Sequence, residues 1–149
     1  MNRHTKGLRW LCICLIALNL LFIWGNSAMP GGTSQGISDG LLNAAGLLQK
    51  ILGPNAGKII RKIAHFGEFA CLGLLVTWFW QLMDQTCARI PLAALCGLLA
   101  SCVDETIQIF VPGRASSLLD VWLDLLGVTA GMIVLIFGQY LYGKRKKPN

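Results

Sequence analysis

Charge is scarce in this chain, and acidic charge is scarcest. Only 7 of the 149 residues are Asp or Glu, and charged residues of both signs make up 13%. A soluble domain carries roughly 25%, so an ordinary water-facing surface is excluded. The six cysteines (Cys12, Cys14, Cys71, Cys87, Cys96 and Cys102) show neither zinc-ligand nor dithiol spacing. All but Cys87 lie in apolar runs and read as small hydrophobes. The chain has no H-E-x-x-H, no convincing internal repeat, no low-complexity tract and no room for a separate soluble enzyme domain. Any chemistry must therefore come from helix faces and short loops. The net charge is +6, but basic residues flank apolar runs instead of forming a broad stripe. That layout argues against a nucleic-acid surface.

What the chain has is apolar length. Hydrophobic residues make up 54%, and the mean hydropathy is +0.59. Four runs stand out, at residues 8–25, 63–83, 90–110 and 118–142. A helix crossing a bilayer needs about 20 apolar residues at about 1.5 Å rise. The expected fold is all-α: one polytopic membrane domain over residues 1–149, with four transmembrane helices. In the first long loop, Ile37, Leu41, Ala45, Leu48 and Leu52 recur at helical spacing before Gly53-Pro54. This predicts a short amphipathic helix at the outer interface. Asn55 is placed to cap the helix that continues into the second run.

Arg3, Lys6 and Arg9 lie before or at the very start of the first run, and Lys144, Arg145, Lys146 and Lys147 follow the last. By the positive-inside bias both termini are expected in the cytoplasm. Loops 26–62 and 111–117 then lie outside. Lys50, Lys58, Arg61 and Lys62 fall on the outer side, against that bias. The first run, with its basic start and Asn26-Ser27-Ala28 exit, also fits a cleavable signal peptide. Trp24, Trp78 and Trp80 read as interfacial anchors.

Five of the seven acidic residues, Glu68, Asp104, Glu105, Asp120 and Asp124, lie toward the outer ends of apolar runs. Ionised side chains in hydrocarbon cost several kcal/mol and normally face a cavity or a partner. At about 100° per residue, Lys58, Arg61, Lys62, His65 and Glu68 share one face within about 120°. Asp104 and Gln108 are one turn apart, with Gly97, Ala100 and Ser101 continuing that face inward. Glu105 points about 100° away, toward solvent or Arg114. Asp120, Asp124, Gly127 and Gly131 form a narrow stripe, and Gly127 and Gly131 make a G-x-x-x-G helix-packing pattern. The three stripes are expected to meet in a pocket open to the outside. Arg114, in the Pro112-Gly113-Arg114 turn, is expected to pair with a carboxylate or an anionic ligand.

Two segments carry a resemblance. Lys62-Ile-Ala-His65-Phe-Gly-Glu68-Phe-Ala-Cys-Leu72-Gly73 is similar to the first signature of VanZ-like membrane proteins, and residues 104–131, from Asp104-Glu105 through Gly131, to the second. Together they span residues 62–131, with order and spacing both matching. Phe69 stands where Tyr is usual and Asp124 where Asn is usual. The resemblance implies a multi-pass protein of the bacterial cytoplasmic membrane, acting at the envelope. The family takes its name from a protein of vancomycin-type resistance operons that gives low-level teicoplanin resistance.

Three functions fit these residues. The first is a non-enzymatic envelope protein whose outer pocket holds a lipid head group, a lipid-linked cell-wall precursor or a drug. Here Arg114, Gln108, Asp124 and Glu105 serve as ligand contacts, and membrane lipids are the partners. The second is an intramembrane hydrolase or transferase on a lipid-linked substrate. His65, Glu68, Asp104 and Asp120 are its candidate acid–base groups or metal ligands. The third is a proton-coupled carrier, which would need a homo-oligomer to complete its path. A purely structural network of the same residues is the alternative to all three. No cofactor and no metal are assigned from sequence.

Overall fold

In the computed structural model the described residues are 3–33, 40, 56–83, 89–114 and 116–145. They build four long α-helices, and no strand occurs among them: α1 (Arg3–Ser27), α2 (Ala56–Leu82), α3 (Arg89–Ile109) and α4 (Leu118–Arg145). Apart from Gly40, the amphipathic helix expected over residues 37–52, and Asn55 as its successor's cap, lie outside the described residues. α2 begins at Ala56, well before the apolar run at Ile63, as expected of a helix that continues into that run, and α1 and α4 also extend past their runs, whereas α3 closely matches its own. Apolar length is set by lipid contact, whereas helix length also includes turns that face protein.

Three helices, α1, α3 and α4, are long and apolar enough to cross a membrane. α2 is set apart by its polar first half, which holds Lys58, Arg61, Lys62, His65 and Glu68. Its second half supplies much of the protein's interior: Phe69, Leu72, Leu75, Val76 and Thr77 are buried. α2 packs against each of the other three helices, so Arg61, His65 and Glu68 are partly covered by protein, whereas Lys58 and Lys62 stay exposed. By contrast Leu18, Leu21, Leu119, Trp122, Ile133 and Phe137 stand exposed on the outer faces, where an acyl phase would cover them.

The α2–α4 contact is made by glycines. A Cβ on Gly131 would run into the Ala70 carbonyl, one on Gly127 into the Phe66 carbonyl, and one on Gly73 into the Val128 carbonyl. In lipid, helices gain nothing from hiding apolar surface from each other. Close backbone approach, with its dispersion contacts, is what holds such a pair. The G-x-x-x-G face of α4 is therefore used within the chain.

Two arginines tie off helix ends. α1 has no basic residue in its last turn, and the last carbonyls of a helix lack intrahelical partners. Arg114 adds donors there, with Nη2 on the Asn26 carbonyl, which also accepts the Met29 N–H at 3.3 Å, and Nε on the Met29 carbonyl just past the helix end at 3.2 Å. At the opposite end Arg9 donates from Nε (2.9 Å) and Nη2 (2.6 Å) to the Leu82 carbonyl, closing α2. A guanidinium at a helix C-terminus also meets the negative end of its dipole. α4 is capped by Ser117, whose Oγ accepts the Leu119 N–H at 3.2 Å, with Asp120 in the first turn.

Candidate functional site

The polar end of the bundle gathers the C-termini of α1 and α3 and the N-termini of α2 and α4. Its centre is His65. The imidazole Nε2 lies 3.1 Å from Asp104 Oδ2 and 3.6 Å from Asp124 Oδ1, while Nδ1 lies 3.3 Å from Glu68 Oε2. Three helices thus contribute to one cluster, because the i,i+3 spacing of His65 and Glu68 puts both on the face of α2 that looks toward α3 and α4. Asp104 and Asp124 are fully buried. Phe69 closes the cluster from below, its ring edge-on to His65 at 5.1 Å.

Each of these groups is held by another. Ser101 Oγ donates to Asp124 Oδ2 at 2.6 Å, and Gln108 Nε2 donates to Asp104 Oδ2 at 2.7 Å. Asn26 Nδ2 donates to Glu68 Oε1 at 2.8 Å. Gln108 also reaches the buried Ser27 hydroxyl at 3.4 Å. Asp104 Oδ1 and Asp124 Oδ1 have no hydrogen-bond partner, an uncommon state for buried oxygens.

Over the cluster lies a cavity of about 310 Å³ whose wall includes His65, Glu68, Gln108, Arg61, Arg114 and Asp120. Lys62 and Asp120 form an ion pair on its rim. Burial, and then the neighbouring positive charge of Arg61, push the Arg114 guanidinium below its usual pKa, while Asp104, Glu68 and Glu105 act in the opposite direction. Two guanidinium groups thus border one cavity, where a bound anion would relieve their repulsion.

The matching family is now decisive. The VanZ/LLP1 family model covers residues 10–139. The chain belongs to the VanZ/LLP1 family. No curated protein matches the chain, and no solved structure does. Every residue of the cluster and cavity named above falls inside the family match, those of α1 included.

Within this VanZ/LLP1 chain the predicted residues divide by position. His65, Glu68, Gln108, Arg114 and Asp120 share the cavity wall. Asp104 sits beneath it against His65. Asp124 and Asp120, one helical turn apart, occupy different places: Asp124 meets His65, whereas Asp120 reaches the rim and Lys62. Glu105 corrects the expectation of a solvent-facing or Arg114-paired group. It is buried, and its Oε2 accepts the Ser117 N–H at 2.8 Å, joining α3 to the start of α4. Arg114 likewise pairs with the two backbone carbonyls and not with a carboxylate. Trp24 is no simple interfacial anchor, since its Nε1 donates to the Ala100 carbonyl at 3.3 Å.

Sequence reasoning missed Asn26 and Ser27, and gave Ser101 only a place on a helix face. Their signal was a polar pair closing an otherwise apolar run and a lone hydroxyl inside one. Neither stands out until α1 is seen to lie beside α2 and α3.

Proposed function

We propose that this VanZ/LLP1 chain is a bacterial cytoplasmic-membrane protein that holds the anionic, phosphate-bearing head group of a lipid or lipid-linked cell-wall precursor in the cavity beside His65. In this reading all four helices cross the bilayer, α2 doing so inside the protein, and both termini are cytoplasmic. The cavity then opens on the outer face. The observation that carries the proposal is the pair Arg61 and Arg114 bordering one cavity, which α1 also lines. Two of the four outer basic residues that run against the positive-inside bias acquire a reason: Arg61 faces the cavity and Lys62 pairs on its rim.

Size supports a head group over a drug. A volume of about 310 Å³ is at the small end of ligand sites, which run from about 300 to 1,000 Å³. A glycopeptide antibiotic does not fit inside. An influence on teicoplanin susceptibility would then be indirect, through the lipid-linked precursor that the protein holds. Binding of a short-chain prenyl phosphate to the protein in nanodiscs, read by native mass spectrometry, tests the proposal. Arg61→Gln is expected to weaken binding at least tenfold. Equal binding by wild type and Arg61→Gln overturns it.

A second reading, an intramembrane hydrolase or transferase, draws on the contact of His65 with two buried carboxylates next to the same cavity. It requires turnover of the lipid-linked phosphate, lost in His65→Gln. Binding without turnover rejects this reading and leaves the first intact.

A further inference from the structure

We propose that His65, Asp104 and Asp124 form a binding site for one divalent transition-metal ion of the zinc or manganese kind at the base of the cavity. One atom from each of these side chains lies within 4.8 Å of the other two. Around an ion with bonds of about 2.0–2.2 Å, neighbouring ligand atoms lie roughly 3.0–3.6 Å apart. The separations of His65 Nε2 from Asp104 Oδ2 and Asp124 Oδ1 are 3.1 and 3.6 Å. One nitrogen and two carboxylate donors make a set suited to zinc or manganese.

Two observations independent of this clustering point the same way. The first is the unpartnered oxygens. Asp124 Oδ1 belongs to a fully buried side chain, faces His65 Nε2 and accepts no hydrogen bond, and Asp104 Oδ1 is equally without a partner. An ion beside His65 Nε2 would satisfy Asp124 Oδ1. The second is the surrounding shell. Metal-bound histidines characteristically donate their other ring N–H to a carboxylate, and ligating carboxylates are themselves hydrogen-bonded. Glu68 stands at His65 Nδ1, Ser101 holds the second oxygen of Asp124, and Gln108 donates to Asp104. Charge agrees: Glu68, Asp104 and Asp124 surround a single imidazole, and a divalent ion on Nε2 compensates them better than one proton.

The site differs from the metal set considered from sequence, which used Asp120 and counted Glu68 as a ligand. The structure puts Asp120 on Lys62 and Glu68 behind the imidazole. His65 lines the cavity, so the ion would adjoin whatever the cavity holds. The proposal goes beyond head-group binding and does not depend on it, because it is tested with metal alone.

The full chain is purified in detergent, stripped with EDTA, and dialysed against Zn²⁺ without added lipid, and its metal content is measured. The expected result is one Zn²⁺ per chain in wild type and in His4→Gln, which removes the other histidine. His65→Gln and Asp124→Asn are expected to bind at least tenfold more weakly. Ser101→Ala keeps every ligand and is expected to weaken binding about ten- to hundredfold. Should the ligand variants fail to fold, Co²⁺ added to wild type decides: visible d–d bands of an N/O-bound ion, removed by EDTA, support the site. No stoichiometric Zn²⁺ in wild type, or equal binding in the triple variant of His65, Asp104 and Asp124, overturns it.

Discussion

Removing the Ser101 hydroxyl should expose how heavily the buried Asp124 depends on a single donor. Both side chains are fully buried, the bond is 2.6 Å long, and the other Asp124 oxygen has no partner. A hydrogen bond to a charged group contributes about 1.5–3 kcal/mol, whereas polar contacts between membrane helices average about 0.6 kcal/mol, because the unfolded reference in lipid finds other partners. Here the acceptor is a carboxylate with no alternative donor on that oxygen, so the expected cost of Ser101→Ala is about 1.5–2 kcal/mol, toward the charged end. In an Asp124→Ala background the same change has nothing to lose, and the coupling in the double-mutant cycle should be of the same size. SDS titration of the EDTA-treated protein in mixed micelles, followed by far-UV circular dichroism, measures it. Additivity within about 0.5 kcal/mol would refute the reasoning, and would mean that Asp124 finds another donor once Ser101 is gone.

Other perturbations follow from the same contacts. Gly131→Ala puts a methyl against the Ala70 carbonyl, whereas Gly138→Ala meets open space. The first should destabilise by about 1–3 kcal/mol and the second by no more than about 0.5 kcal/mol in the same titration. Gly113 sits at φ 76° in the α3–α4 turn, so Gly113→Ala should cost about 1–2 kcal/mol. Arg114→Ala should loosen the end of α1, seen as faster amide exchange at Ala28 and Met29, with Arg114→Lys restoring the charge but not both carbonyl contacts. The Lys62–Asp120 pair is partly exposed, and its double-mutant coupling should not exceed about 1 kcal/mol.

Much of this arrangement is legible before any coordinates. Apolar length marks the helices, and helical periodicity puts His65 and Glu68, Asp104 and Gln108, and Asp120 and Asp124 on single faces. Gly127 and Gly131 announce the tightest helix pair. What periodicity does not determine is how far each helix is rotated and shifted against its neighbours. That is why Asp120 and Asp124 look equivalent in the sequence while one meets Lys62 and the other His65. Glu105 shows the same limit. Its direction on α3 is readable, but the loop that folds back to offer the Ser117 N–H is not. Contributions from α1 were hidden for a different reason. An apolar run with a polar end looks alike whether it faces lipid or packs on other helices, and only contacts across the chain, such as Asn26 to Glu68, separate the two.

Photocrosslinking tests the head-group cavity most directly. A prenyl phosphate carrying a photoreactive group next to the phosphate is irradiated with the protein in nanodiscs, and the labelled peptides are mapped. The expected labels fall on residues 60–68 and around Arg114, are displaced by unlabelled prenyl phosphate, and are strongly reduced in Arg61→Gln. Labelling confined to the lipid-facing side of α4 around Trp122, unchanged by Arg61→Gln, would contradict the account.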